Sequence, residues 1–145
     1  MKLRTIGYEA ATQSAVIACL TAAGVKRLID VRAIASSRRA GFSKTLLAAS
    51  LAAAGIEYVH LRALGTPKAG RQAVRAGRPK EMHAIYDAHL AEPEAQLELA
   101  RAAELAGERP SALLCLEADA ANCHRRIVAN LLAASDGFEV EDLTP

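Results

Sequence analysis

Residues 111–126, SALLCLEADAANCHRR, constrain the fold more than any other stretch. Ala112–Leu116 is a continuous apolar run set between Arg109-Pro110 and the polar Glu117-Ala118-Asp119. A short strand without polar alternation is one covered on both faces, which calls for a parallel sheet with helices above and below it. Just downstream, Asn122 is a favoured helix N-cap, and Ile127, Val128, Leu131 and Leu132 recur at a spacing that buries one helical face. Cys123, His124 and Arg125 are therefore expected in the first turn of a helix that leaves the end of a buried strand. There the unpaired backbone N–H groups and the positive end of the helix dipole favour an anion and lower the pKa of a thiol. Arg125 and Arg126 at that end are unfavourable for the helix itself. They imply an anionic partner, with a merely solvated pair as the plain alternative.

The rest of the chain repeats the strand-then-helix pattern. Leu3–Tyr8, Arg27–Val31, Ile56–Leu61 and Glu139–Leu143 read as further strands. Helices are expected from Thr12 or Ser14 to Ala23, from Ser43 to Ala54, over Glu81–Leu90 and Glu94–Ala106, and after Asn122, with Gly24, Gly55, Gly107 and Gly137 at helix ends. Between them, Ala33–Gly41 reads as a loop with two hydroxyls and two arginines. Arg62–Lys80, broken by Gly65, Pro67, Gly70, Gly77 and Pro79, reads as a long basic loop with one turn of helix at Gln72–Arg75. The 145 residues make one α/β domain with a mainly parallel sheet of four to five strands and helices on both faces. In the common doubly wound strand order the first strand lies beside Ala112–Leu116. Ligands would then bind in a crevice beyond the carboxyl ends, walled by Tyr8, Glu9, Asp30, Arg32, Cys115, Glu117 and the start of the last helix. Asp30 and Arg32, either side of Val31, should point to the same face.

Composition narrows the function classes. Aromatic residues are scarce and Trp is absent, which argues against a single-strand binder built on stacking platforms. No apolar run reaches membrane-spanning length. The three cysteines, an odd number without a secretory leader before them, are expected to be reduced thiols of a cytoplasmic protein, with Cys19 packed in the core. Net charge is only +2, yet residues 31–80 carry ten basic side chains against the single acid Glu57. That separation points to a nucleic acid or a phosphorylated small molecule as partner, against the alternative of a solvated basic segment.

The resemblance to a known family rests on TIGYE at 5–9, LIDVR at 28–32, SR at 37–38, GFSK at 41–44, GIEYVHLRALG at 55–65, LLCLEADAANCHRR at 113–126 and FEVEDL at 138–143. On these the chain resembles the domain-of-unknown-function family numbered 488 nearly end to end. The resemblance implies a Rossmann-like three-layer domain. It also implies a signature of Asp30, Arg32, Ser37, Arg38, Cys115, Glu117, Cys123, His124 and Arg125; it specifies no reaction, and any cofactor stays unknown. One departure is Ala35, where that family usually has proline, which loosens the loop after Arg32.

Three chemistries compete for these residues. The leading expectation is an anion site, with Arg32, Arg38 and Arg125 as planar donors, Ser37 as a hydroxyl, and Cys115 beside them, holding a nucleotide or nucleic acid phosphate. No Walker lysine motif or Gly-x-Gly-x-x-Gly accompanies it. A thiol-dependent enzyme would use Cys123 with His124, and Asp30 or Glu117 as acid, base or orienter, although neither Cys115 nor Cys123 has the arginine six residues on that a phosphate-cradling thiol loop requires. Metal binding ranks third. Cys115, Cys123 and His124, with His60 or Glu117 as a fourth ligand, match no usual zinc spacing, and adjacent Cys and His side chains diverge on a helix. The plain structural alternative is an Arg125–Glu117 ion pair fixing the loop.

Overall fold

Alternation along the central strand divides the interior into two layers. In the computed structural model, which describes residues 1–117 and 123–145, that strand is β4, Ser111–Cys115, and all of it is buried. Leu113 and Cys115 enter one core and Ala112 and Leu114 the other, as the two-residue period of a strand dictates. Around it lie β1 (Lys2–Gly7), β2 (Arg27–Asp30), β3 (Glu57–His60) and β5 (Glu139–Leu143). The order is β3-β2-β4-β1-β5, with every neighbouring pair parallel.

Helices cover both faces. On one side α1 (Gln13–Ala22) and α2 (Lys44–Ala53) supply Val16, Leu20, Leu47 and Leu51 to a core shared with Ile6, Leu28 and Leu114. On the other, α3 (Lys68–Arg75), α4 (Pro79–Leu90), α5 (Pro93–Glu108) and α6 (His124–Asp136) bury Ala73, Met82, Tyr86, Leu105, Val128 and Leu132 against Leu3, Ile29 and Leu113. Each such large aliphatic side chain contributes about 1.5–3 kcal/mol on burial. The result is the expected α/β domain, a Rossmann-like three-layer arrangement with a five-stranded parallel sheet. Among the described residues no helix is long and apolar enough to cross a membrane.

The strand order puts β1 beside β4, as a ligand-binding switch point requires, but β4 also separates β1 from β2, which the commonest doubly wound order would pair. Gly7 and Cys115 are therefore in register, as are Asp30 and Leu114, and three strands deliver their carboxyl ends to one place.

Several local expectations change. Arg62–Lys80 is not a long loop: a 3-10 turn spans Arg62–Leu64, α3 runs Lys68–Arg75, and α4 already begins at Pro79. Gly107 lies inside α5, which continues to Glu108, whereas Gly24, Gly55 and Gly137 do follow helices, with φ of 74, 76 and 72°. The Glu98 carboxylate of α5 reaches back to the 3-10 turn and accepts from the Ala63 N–H at 2.9 Å. At α6 the N-cap is Cys123 itself, whose sulfur accepts from the Arg125 N–H at 3.5 Å. The first turn accordingly begins at His124, and Asn122 lies outside the described residues.

Candidate functional site

Asp30 and Arg32 do share a face, and they use it on each other. Asp30 is fully buried and Arg32 nearly so, with Arg32 Nη2 2.6 Å from the carboxylate and Nε 2.9 Å from it. Arg32 Nη1 donates to the Phe42 carbonyl at 2.7 Å and to the Tyr8 hydroxyl at 3.1 Å. Tyr58 donates its hydroxyl to the same carboxylate at 2.5 Å, and burial together with that negative charge pushes the phenol well above its usual range. Tyr8, stacked on Phe42 with ring centroids 4.2 Å apart, is core rather than crevice wall. His60 is a structural histidine, with Nε2 2.7 Å from the Arg32 carbonyl. His89 is tied to the Ala63 carbonyl, with Nε2 2.6 Å from it.

The loop after Arg32 is braced by hydroxyls. Ser43 Oγ accepts from the Ser37 N–H at 3.0 Å and donates back to the Ser37 carbonyl, which is why it makes no side-chain cap bond to α2. Ser37 Oγ accepts from the Arg39 N–H at 3.1 Å. Arg38 is exposed and makes no hydrogen bond or ion pair among the described residues. Arg32 and Arg125 are buried, so the three arginines expected around one crevice do not share an open surface.

The convergence falls instead on the residues after β4. Gly7 makes it possible: a Cβ there would sit 1.7 Å from the Glu117 carbonyl oxygen and 2.8 Å from Arg125 Nη1. Without one, the Leu116 carbonyl accepts from the Tyr8 and Glu9 N–H groups, which holds the strand exit against β1. Arg125, fully buried, donates through Nη1 to Cys115 Sγ at 2.9 Å and to the Glu117 carbonyl. The Glu117 carboxyl stands 3.4 Å from Cys115 Sγ; burial raises its pKa against the opposing pull of Arg125.

His124 is oriented by Val31. Its Nε2 lies 2.7 Å from the Val31 carbonyl, which can only accept, so Nε2 carries the proton and Nδ1 presents a lone pair. That Nδ1 lies 3.8 Å from Cys123 Sγ, while the ring packs edge-on to Tyr86 at 5.6 Å. Burial lowers the imidazole pKa to about 4, and it is neutral at physiological pH. One ligand atom each from Cys115, Glu117, Cys123 and His124 lies within 4.8 Å of every other.

The sulfurs of Cys115 and Cys123 lie within bonding distance of each other, where three separate reduced thiols were expected. Alternation turns Cys115 into the layer that α6 enters, which makes the pairing possible. Cys19 is the free cysteine and packs at the edge of the other core, with burial raising its pKa.

Beside Cys123 a groove of about 530 Å³ runs between α3–α4 and α6. Val74, Pro79, Met82 and Ile127 give it an apolar lining, and His83, Arg126 and Asn130 a polar one. Lys68, Arg71 and Arg75 fall at helix spacings that align them on one face of α3, opposite the buried Gly70 and Ala73. Val74 lies on the flank of that basic face. Sequence reasoning missed this groove because the buried contacts of α3 are made by a glycine and an alanine, so no large apolar residue marks its inner face.

The family model described as "Domain of unknown function DUF488" matches residues 12–132. No curated protein and no solved structure matches the chain.

Proposed function

The chain belongs to the DUF488 family, a membership that specifies no reaction, and from the site itself we propose that the domain binds a phosphate-bearing ligand, a nucleotide or a nucleic-acid strand, in the groove between α3–α4 and α6. The observation that carries this reading is charge placement. Residues 62–80 hold six cations and no acid, and three of them share one face of α3 beside the groove, Lys68 and Arg75 exposed and Arg71 half-buried with Nη1 donating to the Thr66 carbonyl at 2.8 Å. Clustered cations next to a partly apolar cleft raise the local concentration of polyanions and release counterions when phosphates dock. The apolar lining of Val74, Met82 and Ile127 suits a base or sugar, with orientation left to Asn130, His83 and Arg126. The role first expected of Arg32 and Arg125 passes in this reading to Lys68 and Arg75, with Arg71 beside them, because Arg32 already serves Asp30 and Arg125 is buried behind Cys115; Arg38, exposed on the loop after Arg32, lies apart from the groove lining.

Fluorescence anisotropy with a labelled oligonucleotide, and its displacement by free nucleotides, tests the proposal. Binding should weaken steeply with salt, and Lys68→Glu/Arg71→Glu/Arg75→Glu should abolish most of it. Losing three phosphate contacts flattens the logarithmic salt dependence for a single strand by about two units. Strong displacement by a nucleotide with a shallow salt dependence assigns the small ligand; unaltered binding by the triple variant overturns the groove.

A thiol reaction at Cys123 has one observation of its own, the neutral Nδ1 of His124 facing its sulfur. In the reduced protein it predicts faster alkylation of Cys123 than of Cys19 at neutral pH, an advantage that His124→Gln removes. Equal rates would remove the reading.

A further inference from the structure

Independently of what the groove binds, we infer that Cys115, Cys123, His124 and Glu117 form a binding site for a borderline-soft divalent cation of the zinc type. Four side chains from two separate stretches of chain bring their ligand atoms within 4.8 Å of one another. Ligands about 2.0–2.3 Å from a shared tetrahedral ion stand roughly 3.3–3.8 Å apart. The Glu117–Cys115 and Cys123–His124 separations, 3.4 and 3.8 Å, are already there, while the two sulfurs, now within bonding distance, must part to about 3.8 Å in the reduced protein to share the ion. Divergence of a Cys-His pair on a helix does not apply, since Cys123 is the cap residue with extended backbone, φ −120° and ψ 143°, and only His124 is helical.

The imidazole is arranged as metal-bound histidines are. One ring nitrogen gives its proton to a backbone carbonyl, which fixes the tautomer and turns the other lone pair towards the sulfurs. Charge balances as well. Two thiolates and a carboxylate around a dication leave one negative charge, and the Arg125 guanidinium, 2.9 Å from Cys115 Sγ, offsets it in a buried setting. Two sulfurs, one nitrogen and one oxygen select zinc, cobalt or iron over magnesium and calcium, which take oxygen ligands. The ion requires the thiolates, so it is the partner of the reduced protein and the disulfide is the metal-free alternative.

Cobalt titration of the reduced, metal-free full chain tests the site without any nucleic acid. One equivalent should produce intense near-ultraviolet thiolate-to-cobalt absorption, which zinc then bleaches. Cys115→Ser, Cys123→Ser and His124→Gln should each weaken cobalt binding by at least about 10-fold, while Cys19→Ser should leave it unchanged. Bound zinc should also slow formation of the Cys115–Cys123 disulfide. Absence of the charge-transfer band in the reduced wild-type protein overturns the site, whatever the variants do, and so does a band that depends on Cys19.

Discussion

Arg32 shows how a charge that suggests a ligand in the sequence can be committed to an internal ion pair in the fold. Its guanidinium sits 6% exposed against a carboxylate that is wholly buried, so either partner alone is an uncompensated charge. Asp30→Ala should cost about 3–5 kcal/mol in urea unfolding, and Asp30→Ala/Arg32→Met should cost less than the single change. A double variant less stable than the single would mean that the pair is not what holds this node. His124 makes a second residue-scale case. Asp30, Arg125, Cys123 and Tyr86 surround it, and the folded state holds it neutral down to about pH 4, below its ordinary 6.5. A depressed histidine pKa means the unfolded chain binds the extra proton first. In metal-free, reduced protein the contribution is complete above pH 6.5 and is lost as pH falls towards 4, by up to about 3 kcal/mol. The difference in stability between wild type and His124→Gln, measured by denaturant titration across that window, should shrink on acidification; a constant difference would contradict it.

At the scale of elements, what was legible followed from periodicity. Two-residue alternation put Asp30 and Arg32 on one face, and the unbroken apolar run of β4 called for a strand covered on both sides; both are found. Helix α3 escaped because glycine and alanine make its buried contacts and its other positions are largely charged, leaving no apolar stripe to read. The convergence after β4 escaped for another reason: it depends on a strand crossing that no local pattern encodes. Gly7 ends β1 directly under the Glu117 carbonyl, and only a residue without Cβ allows that contact. Gly7→Ala should therefore lower stability by more than about 2 kcal/mol, read as a shifted urea midpoint, and should displace Glu117 and Arg125 from Cys115. An unshifted midpoint would show that the strand exit tolerates rearrangement.

Over the whole molecule, a net charge of +2 conceals a basic middle and an acidic C-terminal part, in which residues 81–145 carry thirteen acids against four bases, and folding puts five of the middle's cations on α3 and at the start of α4. The same end of the sheet holds Cys115, Glu117, Cys123 and His124, so a basic groove and a thiolate–imidazole cluster meet at Cys123. The sequence pattern indicated this end of the sheet; that Arg32 is committed to Asp30 and Arg125 to Cys115 and the Glu117 carbonyl is visible only in the packing, which is why the proposed ligand surface is drawn at α3. The proposed groove requires that ligand binds here and not at the Ser37–Arg38 loop. Amide chemical-shift mapping on isotope-labelled protein, titrated with a short oligonucleotide, tests it most directly. The account predicts perturbations confined to α3, the first turn of α4 and Cys123–Asn130; shifts centred on residues 33–41, or none at saturating concentration, would contradict it.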